Sequence, residues 1–227
     1  GIALTAPLAC LFKTDYKKFE DLKSGNKVTL NINKLHNYNI NGDYLNVTLR
    51  LFESQGWITR KWINHKELNI EPTEYGKTFF NEISIYEKFF SFYNVLSKIS
   101  FSNLTQYEDL EDILKILNGL KITNKIISKH IEGLVIGPIL VSLFLNNHAK
   151  INDDKLYLSD KIGQNNKQFI LKIFEKLDFL NQNLNLNEKG MFFCKRSSAY
   201  GVTVSYMPLF SKMKILLFGN TSNILNR

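Results

Sequence analysis

The four histidines, His36, His65, His130 and His148, have the widest chemical reach of any residues in the chain. None stands at ligand spacing from another histidine or from a cysteine. Structural and catalytic zinc sites draw on closely spaced ligand pairs, so no metal site is expected. His130-Ile131-Glu132 resembles one piece of a deaminase signature, but the cysteine pair that holds the zinc in such enzymes is missing. Carboxylates gather at Glu108, Asp109, Glu111 and Asp112. They read as the solvated start of a helix, where negative charge complements the backbone dipole. Neither a nucleophile elbow nor a phosphate-binding loop occurs. No catalytic residue is assigned. Cys10 and Cys194, far apart in apolar surroundings, read as buried thiols of a reduced, cytoplasmic protein. The aromatic run Tyr86, Phe89, Phe90, Phe92 and Tyr93 reads as packing material.

The elements that position these residues come next. With 227 residues, 44% hydrophobic and 22% charged, the composition is that of a globular protein with a proper core. A net charge of +8 permits an anionic partner without requiring one. The longest apolar run, Leu134 to Leu145, is broken by Gly137 and Pro138 and falls short of the roughly 18 residues of a membrane span. It reads as a buried helix, and no membrane partner is expected. The apolar start, "GIALTAPLACLFK", has no basic region before it, so no signal peptide is expected.

The chain repeats itself. "YLNVTLRLFESQGWI" from Tyr44 resembles "QFILKIFEKLDFL" from Gln168, with Phe52-Glu53 on Phe174-Glu175 and Trp57-Ile58 on Phe179-Leu180. Thr73-Glu74-Tyr75-Gly76 matches Asn187-Glu188-Lys189-Gly190, and Thr and Asn are both good helix N-caps. "YEKFFS" from Tyr86 matches "YMPLFS" from Tyr206, and "APLACLF" resembles "GPILVSLF", each reading as a helix opened by a small residue and a proline. "KVTLNI" from Lys27 and "KLYLS" from Lys155 alternate like short strands. Six matches in one order imply a duplicated unit.

Each unit reads helix, strand, helix, two-stranded wing and closing helix, which is the order of a winged helix. The expected fold is α+β, mainly α. Two winged-helix-like units, 1–100 and 133–227, are joined by a helical linker over 101–132. Leu110, Ile113, Ile116 and Leu117 stand at helical spacing in that linker. The first wing has arms Trp57–Ile63 and Leu68–Ile70 with its tip at Asn64-His65-Lys66, and the second turns at Gln182-Asn183. Tyr206, Leu209, Phe210, Met213, Leu216 and Leu217 draw one apolar stripe on an amphipathic closing helix. Part of that stripe is expected to pack on the chain itself and part to face a partner.

A winged helix invites a DNA-binding alternative, a replication initiator or repressor. The helix before the first wing carries Arg50 alone, opposed by Asp43 and Glu53, which is poor equipment for a groove lined by phosphates. Under that alternative the contacts would come from the wing, through Arg60, Lys61 and Lys66.

"SYMPLFSKMKILLFGN", preceded by a Gly-terminated wing turn and by "YEKFFSFYNVL", resembles the amino-terminal region of a methyltransferase family. These are the S-adenosylmethionine-dependent C-methyltransferases of polyketide chain-initiation modules, of the apratoxin and saxitoxin type. The resemblance implies a winged-helix-like lid over a Rossmann-like catalytic domain, acting on an acyl group tethered to an acyl carrier protein. It implies S-adenosylmethionine as cofactor of the parent enzyme, not bound by this chain alone. The acidic-Gly-x-Gly turn that cradles the cofactor is not found in these residues. By their place next to the catalytic junction that the resemblance implies, Tyr200, Ser205, Tyr206, Met207 and Phe210 are expected nearest the acyl substrate.

Overall fold

The computed structural model describes residues 2–12, 15–89, 93, 95–96, 98–99, 107–119 and 125–219. Phe90 and Phe92 lie outside the described residues, as do the side chains of Phe89, Glu108, Asp109 and Ile116. The protein is α+β and mainly α, with two small antiparallel sheets among many helices. Backbone contacts divide it into two compact units, Gly1–Ser91 with Leu209–Arg227, and Phe92–Pro208.

In the first unit, helices α1 (Ile2–Cys10) and α2 (Lys17–Lys23) lead into strand β1 (Val28–Asn31). Helix α3 (Gly42–Ser54), strands β2 (Ile58–Asn64) and β3 (Glu67–Pro72) and helix α4 (Glu74–Glu82) follow. Asn41 caps α3, its side chain accepting from the Tyr44 N–H at 2.9 Å. Leu45, Leu49 and Phe52 form the buried stripe of α3, at three- and four-residue steps. The sheet order is β1-β3-β2, with Val28 opposite Ile70 and Ile58 opposite Pro72. That is the expected wing, and at its tip the Asn64 Oδ1 accepts from the N–H groups of Lys66 and Glu67. Phe12, Phe19, Phe52 and Trp57 fill the core beneath it.

The second unit is built on a 21-residue helix, Lys125–Leu145, buried from Leu134 to Leu143. Pro138 stands inside this helix, not in its first turn, and Pro7 is likewise inside α1. An interior proline forfeits one backbone hydrogen bond, and the apolar packing on every side of the segment overrides that loss. By length and composition this helix could cross a membrane, which the apolar run read from the sequence could not. Buried residues make up 67% of its most apolar window.

The strand from Lys155 also finds a different partner from the one its counterpart suggests. β4 (Ala149–Asn152) and β5 (Lys155–Leu158) form their own hairpin, and β5 does not join the wing. Asp153 closes the turn in the left-handed region, at φ 54°. The second wing is reduced to a single bridge, Leu180 to Leu186, tied to the hairpin by the Leu186 N–H donating to the Asp154 carbonyl. The helix Tyr107–Gly119 packs against the helix Gln164–Lys176 within this unit, burying Leu110, Ile113 and Leu117.

The duplication is most clearly seen in backbone hydrogen bonds. The Trp57 N–H donates to the Phe52 carbonyl and the Phe179 N–H to the Phe174 carbonyl, both at 2.9 Å. The residue before each aromatic is left-handed, Gly56 at φ 72° and Asp178 at φ 56°. The N–H groups of Thr73 and Asn187 donate to the Trp57 and Phe179 carbonyls, again at 2.9 Å. The side chains of Thr73 and Asn187 then cap the next helix by accepting from the N–H groups of Gly76 and Gly190. Both glycines are forced. A Cβ would stand 1.8 Å from the Trp57 oxygen in one unit and 2.2 Å from the Phe179 oxygen in the other. Phe79 stacks on Trp57 at 4.8 Å as Phe193 does on Phe179 at 5.1 Å.

Candidate functional site

The closing stripe is not one helix. It starts at Tyr206, in a turn, and runs through two short helices, Met207–Phe210 and Met213–Phe218. Met213, Leu216 and Leu217 are buried, and the Leu217 carbonyl accepts from the Asn41 N–H at 3.0 Å, next to the start of α3. These three side chains close the first unit and are not offered to a partner. Tyr206 and Leu209 remain 51% and 43% exposed.

The five residues expected nearest a substrate do not share one setting. Tyr200 ends the turn Ser197–Tyr200 and stacks on Phe193, with ring centroids 6.1 Å apart and planes 8° apart. The base of its side chain faces Gly137, where an added Cβ would lie 3.7 Å from the Tyr200 Cβ and Cδ1. Burial raises its phenol above the usual range, with the nearby Arg196 pulling the other way. Tyr200 thus ends an aromatic column that starts at Phe174 and passes through Phe179 and Phe193. Ser205 is exposed, and its hydroxyl donates to the Val202 carbonyl at 2.7 Å. Met207 is buried within the second unit, whereas Phe210, also buried, groups with the first.

On the first wing, Arg60 is already engaged. Its Nε and Nη2 both donate to Glu53 Oε2, at 3.0 and 2.7 Å, and its Nη1 donates to Asn46 Oδ1. Only 13% of the side chain is exposed. A guanidinium held this way contributes to fixing the wing on α3 and is poorly placed for a phosphate. Lys61 and Lys66 are exposed beside Trp62 and Ile63, which are themselves half exposed.

The second unit thus carries a hairpin, a helix ending at a left-handed residue, a one-bridge wing and a capped helix stacked on the wing's aromatic. Residues 132–220 match the AprA winged helix domain. Residues 1–60 match the AprA N-terminal domain. The chain therefore carries AprA-family domains, a winged helix among them. No curated protein matches the chain. The AprA winged helix match spans the one-bridge wing, while the more complete two-stranded wing of the first unit, 58–72, lies between the two matches save for its first three residues.

Sequence spacing gives no reason to single out His148, a lone histidine far from any ligand pair. In the structure it is buried at the edge of a cavity on the β4–β5 hairpin.

Proposed function

We propose that this chain is the lid and substrate-side region of a S-adenosylmethionine-dependent methyltransferase. The methyl acceptor is an acyl group tethered to an acyl carrier protein, and a separate catalytic domain supplies the cofactor site. The observation that carries this reading is the pair of AprA matches in order along one chain, over 1–60 and 132–220. The resemblance of the segment from Ser205 to Asn220 to chain-initiation methyltransferases supplies the chemistry. Tyr206 and Ser205 are the exposed hydroxyl-bearing members of the segment assigned to the substrate side, and Tyr200, Met207 and Phe210 are its less exposed members. The excess positive charge favours approach of an acidic carrier protein.

Calorimetry tests both halves of the reading. Titration of residues 1–227 with S-adenosylmethionine is expected to give no binding heat, and tight binding overturns the lid assignment. Titration with an acyl-loaded carrier protein is expected to give salt-sensitive binding. The absence of any binding at low salt overturns the substrate-side assignment.

A further inference from the structure

One face of the β4–β5 hairpin is polar, and its deepest member is a histidine whose ring has no hydrogen-bond partner among the described residues. Ala149 pairs with Leu158 and Lys150 with Tyr157. Just outside the strands, the Ser159 N–H donates to the His148 carbonyl at 2.8 Å, which continues the register by one pair. Side chains alternate across a strand, so His148, Lys150, Tyr157 and Ser159 share the face opposite Ala149 and Leu158. With Asn147 and Asp160, and with the Ala149–Leu158 pair between them, they line a cavity of about 320 Å³. That is the low end of the roughly 300–1,000 Å³ typical of small-ligand sites.

His148 is 6% exposed, and neither ring nitrogen has a hydrogen-bond partner among the described residues. A neutral imidazole always presents one N–H donor and one lone pair. Native interiors rarely leave both unpaired, so the ring is a group in want of a ligand. The charges around it select the sign of that ligand. Lys150 is exposed and makes no ion pair among the described residues. The Asp160 carboxylate, the one acid among the described residues lining the cavity, is held by the Lys167 ammonium at 2.8 Å. Ser159 Oγ accepts from the Lys161 N–H, which leaves its own hydrogen to donate.

We infer that this cavity binds a small oxyanion, a phosphate or a carboxylate. Lys150 and the hydroxyls of Tyr157 and Ser159 hold the anion, and the His148 ring turns to donate to it. The turn is required because neither ring nitrogen is open to solvent. The inference stands independently of the function proposed above.

Nuclear magnetic resonance of the isotope-labelled chain tests it, with inorganic phosphate and acetate titrated separately against chloride at constant ionic strength. Expected are saturable shifts confined to residues 147–150 and 157–160, with the His148 ring nitrogen signals moving on the same isotherm. Phosphate alone, acetate alone or both producing this pattern supports the site and names its chemistry. Lys150→Met, an exposed change that leaves the fold intact, is expected to weaken binding about tenfold by removing a charged donor. Shifts that do not saturate, shifts spread over lysines elsewhere, a His148 ring that stays still, or no shift with either anion overturn the inference.

Discussion

The duplicated close approach of helix to carbonyl gives a sharp test at Gly76 and Gly190. In an open helical position, replacing Gly by Ala stabilises by about 0.8–1 kcal/mol. At Gly76 the new Cβ would stand 1.8 Å from the Trp57 oxygen and 2.6 Å from its carbonyl carbon. Reaching an ordinary contact of about 3.5 Å means moving α4 away by more than 1.5 Å or so. That movement strains the bond from the Thr73 N–H to the Trp57 carbonyl and the one from the Thr73 hydroxyl to the Gly56 carbonyl. Overpacking of this kind costs about 1–3 kcal/mol, and each of the two bonds about 1 kcal/mol. After the helical gain is subtracted, Gly76→Ala is expected to destabilise by roughly 2–4 kcal/mol. Gly190→Ala, at 2.2 Å from the Phe179 oxygen, is expected to cost a similar amount. Gly133 is the control. It lies in the long helix, and a methyl added there would meet nothing within 4 Å, so Gly133→Ala is expected to stabilise by about 0.5–1 kcal/mol. Urea unfolding followed by fluorescence and by far-ultraviolet circular dichroism reads all three. Both tryptophans, Trp57 and Trp62, belong to the first unit, so fluorescence follows Gly76→Ala directly. A Gly76→Ala protein as stable as the parent refutes the close-approach argument.

Three further outcomes are expected. Thr73→Ala and Asn187→Ala each remove a helix cap and are expected to cost about 1–2 kcal/mol in urea unfolding, while Thr73→Ser, which keeps the hydroxyl, costs a few tenths. Leu217→Ala removes a fully buried side chain from the first unit and is expected to cost about 2–4 kcal/mol, shifting the fluorescence transition to lower urea. Burial pushes the Cys194 thiol up to about 12 and, with Lys23 opposing and Glu87 assisting, the Cys10 thiol up to about 11. The folded state thus holds these protons to higher pH than the unfolded state does. Their contribution is complete below about pH 9 and is lost as pH rises through the raised values, so melting temperature should fall across that window. Cys194→Ala is expected to flatten the fall, and an unchanged slope argues against the assignment.

Much of this architecture was legible because it rests on local signals. The amphipathic period of α3 and of Gln164–Lys176, the caps at Thr73 and Asn187 and the two glycines that follow them are each written within a dozen residues. The turn at Asn64-His65-Lys66 was likewise visible as polar punctuation between alternating arms. What failed was long-range pairing. Nothing in "KLYLS" says whether it joins the wing or the preceding "AKIN", and four residues are too few for a period to show. The placement of the closing stripe was hidden for the same reason. Tyr206 to Leu217 keeps a helical spacing through a break after Phe210, and its cover, near Asn41, lies far back in the chain. Pro138 misled because its neighbours on both sides are apolar enough to carry a helix through it. The assigned substrate-side segment was positional, and position does not reveal that Met207 and Phe210 fall on either side of a unit boundary.

The return of Met213–Phe218 to the first unit has a consequence for synthesis. Domains emerging from the ribosome usually fold in order, amino-terminal first. Here the earlier unit lacks four of its core side chains, Phe210, Met213, Leu216 and Leu217, until the whole of Phe92–Pro208 has been translated. The inserted unit is free to mature while the flanking one still waits, so within these residues folding proceeds from the insertion outward.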